Sequence, residues 1–282
     1  MKFFITAGPT REPIDPVRYL SNRSSGKMGY AIAEAAIEAG HEVVLISGPV
    51  DIDRPRGGAV ISVSTSDEMY AAVHEHARGC DVLVMCAAVA DYKPKQVSKN
   101  KIKKRDANVS LELVPTRDIL ASLPKQDRHY VVVGFAAETE NVEANAQKKL
   151  QEKNCDLIVA NDVSRADSGM ESDENEVTIL FRDGEKKKIS CAPKKVVARE
   201  LGDDVCRCRR NQKKVGAIRQ FDMAGAPVFF FIEETRHHRI FGKGLQSERR
   251  DEFDGVMCHD NKNVVTLLHQ QTREFGRFVS GD

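Results

Sequence analysis

The sequence predicts an α/β fold, doubly wound around a mostly parallel sheet, with a flap and a β-hairpin added. Two observations carry this expectation. Short, continuous apolar runs alternate with amphipathic stretches, the pattern of strands covered on both faces by crossover helices. The first such run is separated from the first helix by about twenty polar, Gly/Pro-rich residues, where ordinary strand-to-helix loops take roughly 2–6. A long loop at the carboxyl end of a strand is where an open α/β sheet keeps its ligand site.

Taken in order, Lys2–Ala7 is the first strand and Gly26–Ala39 the first helix, closed by Gly40. Glu42–Ser47 is an unbroken apolar strand, and Val60–Ser64 a shorter one. Asp67–Ala77 reads as a helix with Ser66 as N-cap. Asp81–Cys86, Tyr130–Phe135 and Asp156–Ala160 are further buried strands, with a helix over Val142–Glu152 between the last two. Tyr92–Ser110 breaks the alternation: polar and lysine-rich, it is either a solvated loop or, given its place after a strand's carboxyl end, a flap over a ligand. Glu176–Phe181 and Lys186–Ile189, joined by Arg182–Glu185, form a β-hairpin, and Ala192–Leu201 is a closing helix.

The chain has 282 residues, a net charge of +1 and 30% charged residues, which argues against a general nucleic-acid binder. The seven cysteines follow no disulfide framework. With neither a signal peptide nor a long apolar run, the expectation is a cytoplasmic protein without a membrane partner. Composition changes near residue 204: residues 1–204 carry net −3, whereas 205–282 carry net +4 and eight of the twelve phenylalanines. Two domains are therefore expected, 1–204 and 205–282.

Gly8, after the first strand, could let backbone N–H groups approach phosphate. Sharper phosphate motifs fail. Ser24-Ser25-Gly26-Lys27-Met28 resembles the end of a P-loop, but Ser21 stands where its first glycine belongs and Met28 where Ser or Thr is needed. Gly8-Pro9-Thr10 is not Gly-x-Gly, and the second strand ends in Ser47-Gly48-Pro49, with no acid to hold a ribose. Asn22 is either a turn residue or an amide that orients a carbonyl or stabilises its oxyanion. Lys101-Ile102-Lys103-Lys104 is a compact cationic tract, and Lys149 and Lys153 share one helix face, where a bound anion would relieve their repulsion.

The blocks Ile5–Asp15, Val17–Gly29, Ala87–Tyr92, Lys101–Lys104, Val133–Thr139 and Asp156–Ser164 together resemble the phosphopantothenate–cysteine ligases of coenzyme A biosynthesis, of the bacterial CTP-dependent type. The resemblance covers most of 1–204 and implies a Rossmann-like sheet. It implies a reaction in which the carboxylate of 4'-phosphopantothenate attacks the α-phosphate of CTP, giving an acyl-cytidylate and pyrophosphate. The amino group of cysteine then displaces CMP. It implies that Asn22 and Lys101, the latter in the flap, are needed to convert the acyl-cytidylate to product. Nucleotide-contacting positions implied in the same way are Gly8, Ala87, Asp91, Lys101, Phe135, Lys149, Lys153 and the helix-start segment Thr116-Arg117-Asp118-Ile119. Mg²⁺ is implied alongside CTP, and a homodimer with the first loop and the flap near the partner subunit. The first strand begins at residue 2, so the ligase alone is expected here, without FMN, and with any decarboxylase as a separate partner.

Residues 205–282 match nothing in that family. Cys206-x-Cys208, His237-His238 and Cys258-His259 fit no known finger spacing. Ala226–Glu234 could be a strand; a poorly ordered extension and an aberrant reading frame are the other readings. The competing function is a non-catalytic nucleotide- or NAD(P)-binding regulatory protein on the same sheet, against which stand the missing acid on the second strand and the pairing of Asn22 with Lys101.

Overall fold

The computed structural model describes residues 1–104, 108–125, 128–164 and 172–223, with side chains described to residue 213. The chain divides into two units, Met1–Ala217 and Ile218–Asp282, of which the first holds the sheet and the site. The strand expected at Ala226–Glu234 lies outside the described residues.

In chain order the elements are β1 (Lys2–Ala7), β2 (Arg11–Pro13), β3 (Tyr19–Ser21), α1 (Lys27–Glu38), β4 (Glu42–Ser47), β5 (Ala59–Ser62), α2 (Ser66–His76), β6 (Val82–Met85), β7 (Tyr92–Pro94), β8 (Leu113–Pro115), β9 (Val131–Glu138), α3 (Val142–Glu152), β10 (Leu157–Asp162), β11 (Glu174–Phe181), β12 (Lys186–Pro193) and α4 (Lys194–Met223). Eight strands make one sheet in the order β12-β11-β10-β9-β6-β1-β4-β5. The six from β10 to β5 run parallel; β11 and β12 are added antiparallel. This is a Rossmann-like α/β sheet. The chain leaves β1 toward β4 and β5, then returns to β6 on the other side of β1, so the crevice for a ligand opens at the carboxyl ends of β1 and β6.

Each face has its own core. Phe3, Ile5, Val84, Val133, Val159 and Ile179 pack with α1 and with Val197, Ala198, Leu201 and Val205 of α4. Phe4, Ile46, Leu83, Val132 and Ile158 pack with α2 and α3 on the other face. Alternate residues of the same parallel strands thus go to opposite layers, which is why the runs read as continuously apolar. Gly29 lets α1 lie directly on β1: a Cβ there would fall 2.6 Å from Ala7 Cβ. Beneath α3, Asp156 forms an ion pair with Arg128 at 2.5 Å, both side chains almost fully buried, and also accepts the Val132 N–H.

Several elements depart from expectation. The first loop is not simply irregular: β2 and β3 pair antiparallel within it. The helix expected over Asp67–Ala77 begins at Ser66, and its cap is Thr65 rather than Ser66. Thr65 and Glu68 stand three apart and satisfy each other's backbone N–H groups in a capping box, while the Ser66 N–H goes to the buried carboxylate of Glu12. Thr116–Ile119 starts no helix; the Asp118 side chain takes the Ala121 N–H in an isolated turn that stops at Pro124. Ala192 and Pro193 end β12 instead of opening a helix, and α4 runs to Met223, not Leu201. The composition change at 204 therefore falls inside α4, where Val205 is in the core and Arg209 pairs with Asp81 at 3.0 Å.

Candidate functional site

A cleft of about 650 Å³ lies across the carboxyl edge of the sheet, a size suited to a small-molecule site. Three features at the end of β1 and the start of the first loop build it. Gly8 turns the chain with φ +76°, and its carbonyl accepts the Ala88 N–H at 3.0 Å. Thr6 Oγ1 takes the Ala87 N–H at 3.1 Å and Thr10 Oγ1 the Ala90 N–H at 3.0 Å. The segment after β6 is thereby zipped to the loop after β1, and Ala87–Asp91 becomes one wall.

Asn22 hangs over that wall. Its amide nitrogen donates to the carbonyls of Ala88 at 2.9 Å and Val89 at 3.2 Å. Both amide hydrogens are thus used by the backbone, and the side-chain oxygen is what remains for a ligand. The opposite wall is Thr116–Ile119 with α3. Thr116 Oγ1 donates to the Ala90 carbonyl and its N–H to the Asp91 carbonyl. Lys149 reaches back to the carbonyl of Phe135 at 3.1 Å, and Lys153 pairs with Asp118 at 2.5 Å. The repulsion expected between the two lysines is relieved in this way. Burial opposes ionisation of Asp118, yet Lys153, the Ala121 N–H and Lys149 outweigh it and hold the carboxyl below its ordinary value. Arg117 stacks on Tyr70, its guanidinium 3.9 Å from the ring centre, and pairs with Asp67.

The structure therefore brings Asn22, Ala87, Asp91, Thr116, Arg117, Asp118, Ile119, Phe135, Lys149 and Lys153 to one cleft. Gly8 lies behind the wall, shaping it. Lys101 does not line the cleft. It sits where the segment from β7 to β8 is latched to the first loop: Asp15 accepts the Ile102 N–H at 3.1 Å, and Arg18 donates to the Ile102 carbonyl at 2.6 Å. The Arg18 guanidinium, foremost, and the N–H groups of Ile102, Val17 and Arg18 hold the Asp15 carboxyl far below the usual carboxylate range against the opposing effect of burial. Strands β7 and β8 pair as a two-stranded ribbon, the base of the expected flap.

The cleft also includes residues that the sequence reading did not single out: Cys86, Asn161, Asn175 and Lys194. Asn161 carried one legible signal, a polar residue closing an apolar strand. Asn175 and Lys194 carried none, because they reach the cleft through the antiparallel strands β11 and β12. Burial pushes the Cys86 thiol up to about 12, so it stays protonated and is no nucleophile. Cys206 and Cys208 lie on α4; Cys206 Sγ meets His41 Nε2 at 3.5 Å, and burial pushes Cys208 up to about 11. Among the described residues no group of three or more His, Cys, Asp or Glu side chains could hold a metal ion, and no helix is long and apolar enough to cross a membrane.

A model of the DNA/pantothenate metabolism flavoprotein C-terminal domain family matches residues 1–208. The coenzyme A biosynthesis bifunctional protein CoaBC of Bacillus subtilis (strain 168) is 48% identical over 202 residues, covering 71% of this chain and 50% of that protein. The chain spans about half the length of the curated relatives it matches. The crystal structure of the C-terminal domain of CoaBC is 44% identical with a TM-score of 0.62, covering 72% of this chain and 93% of that one. A Streptococcus pneumoniae DNA/pantothenate metabolism flavoprotein shares the fold at 23% identity and a TM-score of 0.63, over 73% of this chain and 99% of that one. The chain thus belongs to the DNA/pantothenate metabolism flavoprotein C-terminal domain family and corresponds to the C-terminal domain of the coenzyme A biosynthesis bifunctional protein CoaBC.

Proposed function

We propose that this chain ligates 4'-phosphopantothenate to L-cysteine, with CTP as the activating nucleotide. The observation that carries the reading is the convergence of Asn22, the Ala87–Asp91 wall, Phe135, Lys149 and Lys153 on one cleft at the switch point of the sheet. A carboxylate does not acylate an amine at neutral pH until one of its oxygens becomes a good leaving group. Attack of that carboxylate on the α-phosphorus of CTP achieves this, with pyrophosphate leaving. Two anions must be aligned for the attack, so the cleft needs cations and close positioning. Lys149 and Lys153 supply positive charge on one wall. The first turn of α1 supplies N–H groups on the other, with Gly26 as a cap that adds no side chain and no acid in that turn. Phe135, half-buried within β9 and lining the cleft, offers its ring to a base or ribose.

Mg²⁺ fits this cleft as an ion carried by the triphosphate, not as one caged by protein: Asp91 and Asp118 are the carboxylates on the wall, and Mg²⁺ typically keeps several waters beside one or two carboxylates. When bound, it would share the phosphate charge. Asn22, fixed by its two backbone bonds, keeps its side-chain oxygen for the acyl-nucleotide, and Lys101, beside the Asp15 latch, reaches the cleft only when the flap moves further over it than it stands in the structure. A homodimer and a cytoplasmic setting belong to the same proposal. Val17, Tyr19, Tyr92 and Leu113 lie well exposed on the two ribbons, an apolar surface that a second copy would cover.

Pyrophosphate release from purified protein, with phosphopantothenate and Mg²⁺, compared between CTP and ATP and with and without cysteine, tests the proposal. Release favouring CTP, with phosphopantothenoylcysteine formed when cysteine is present, is expected. A folded protein that releases none with either nucleotide would leave a binder without ligase activity.

A further inference from the structure

Arg117 lines the cleft, yet what fixes its side chain lies outside it. One face of α2 carries Asp67, Tyr70 and His74, three and four residues apart, and each meets the chain that forms or follows the ribbon β7–β8. The Arg117 guanidinium stacks on the Tyr70 ring at 3.9 Å and donates through Nη2 to Asp67 Oδ1 at 3.1 Å. His74 braces this platform: its ring centre lies 4.3 Å from that of Tyr70, and its Nε2 meets Ser122 Oγ at 2.8 Å. The backbone before Arg117 is fixed as well, by the Thr116 bonds to the Ala90 and Asp91 carbonyls. Asp67 and Tyr70 do not line the cleft themselves.

This clamp leaves the guanidinium most of its donors. A guanidinium carries five N–H groups, and among the described residues Asp67 takes one of them. The Asp67 carboxylate is itself shared, since Lys93 donates to its other oxygen. Lys93 foremost, and then Arg117, hold that carboxyl below its ordinary value against the opposing effect of burial, so one negative charge stands between two positive ones. The next acid along the wall, Asp118, pairs with Lys153. What remains on the wall is a positive fork held by a ring and a carboxylate, a shape that matches two oxygens of a phosphate. The substrates proposed above carry phosphate at two places, the triphosphate of CTP and the monoester of 4'-phosphopantothenate. We propose that Arg117 binds a phosphate group of these substrates, and that Asp67 and Tyr70 are positioning residues that hold its guanidinium for it.

The clamp has a physical purpose. A long arginine side chain on an exposed wall gives up rotamer freedom each time it grips a ligand; stacked and paired beforehand, it has less to give up. Arg117 is also in place in a cleft that Lys101 does not line. It therefore serves the binding of the phosphate and not the later closure of the flap, so its loss belongs in KM more than in kcat.

This site rests on the ligase reading, and its test separates the two. In the full chain, Arg117→Gln should raise the KM of a phosphorylated substrate about tenfold or more, with kcat falling less than about threefold. A rise for CTP assigns the fork to the triphosphate. A rise for phosphopantothenate, with loss of its advantage over pantothenate, assigns it to the monoester. Tyr70→Leu should raise the same KM, Tyr70→Phe should recover most of the loss by keeping the ring, and Tyr70→Leu should add little once Arg117 is Gln. Asp67→Asn should raise it more than Lys93→Met, which spares the bond to Arg117. Variants that lower the melting temperature but leave both KM values in place would reduce the clamp to a structural pin and overturn the proposal. So would a rise confined to cysteine, which would give the fork to a carboxylate. An undiminished effect of Tyr70→Leu in the Arg117→Gln background would overturn the positioning role. Calorimetry of CTP and of phosphopantothenate binding supplies a readout apart from turnover. Binding that Arg117→Gln weakens, in a protein that releases no pyrophosphate, would keep the phosphate site and sink the ligase reading. Absence of both binding and turnover in the wild type would sink the two together.

Discussion

Asn22 shows how much a single side chain is asked to do here. Its amide gives both hydrogens to Ala88 and Val89 carbonyls. Asn22→Asp would set a carboxylate against two carbonyl oxygens and swing the side chain off the wall. Pyrophosphate release should survive in that variant, while amide formation falls by roughly a hundredfold or more, the scale of losing one aligned polar contact at a reacting carbonyl. Single-turnover measurement of pyrophosphate and product separates the two steps; unimpaired product formation would remove Asn22 from the mechanism. Asn22 and Phe135 could be assigned to the cleft from the sequence because each sits in a block whose wording is specific, and Lys149 because it shares a helix face with Lys153. Asn175 and Lys194 could not be, because their place in the cleft depends on strand pairing between distant segments.

At the scale of elements, close approach and latching matter most. Gly29→Ala would place a Cβ 2.6 Å from Ala7 Cβ and 3.1 Å from the Thr6 carbonyl, lifting α1 off β1. A loss of about 1–3 kcal/mol in urea unfolding is expected, the usual cost of overpacking a tight contact. The Asp15 latch makes a pH prediction. Its folded carboxyl is depressed, so its contribution is complete above the model-compound value of 3.8 and is lost as pH falls below it. The melting-temperature gap between wild type and Asp15→Asn should therefore be full at pH 7 and shrink below about pH 4; a gap independent of pH would refute the latch. Strands β1 and β4 and helix α3 have the bounds that their apolar patterns indicate. Ribbon β2–β3 was hidden because three-residue strands beside Pro13 and Pro16 show no alternation. Helix α4 continues its apolar stripe at Val197, Leu201 and Val205, but the charged residues beyond 204 masked it.

For the whole molecule, the packed unit reaches past the point where composition changes. A chain ended after residue 204 would lose Val205 from the core and the Arg209–Asp81 pair, and should be less stable by about 2 kcal/mol or more. A chain ended after residue 217 should keep the stability of the first unit; equal stability of both truncations would contradict the packing. The proposed dimer is checked by sedimentation. Tyr19→Asp combined with Leu113→Asp should convert it to a monomer, since charges on an apolar surface oppose its burial.

The latch also offers a spectroscopic handle. The Ile102 amide proton is held not by a neighbouring strand but by a carboxylate 87 residues away in sequence. An excursion of the proposed flap at Ile102 would break that bond together with the one from Arg18 to the Ile102 carbonyl. Its hydrogen–deuterium exchange rate would therefore report openings of the proposed flap, and titrating each proposed substrate in turn would show which of them changes the rhythm of opening.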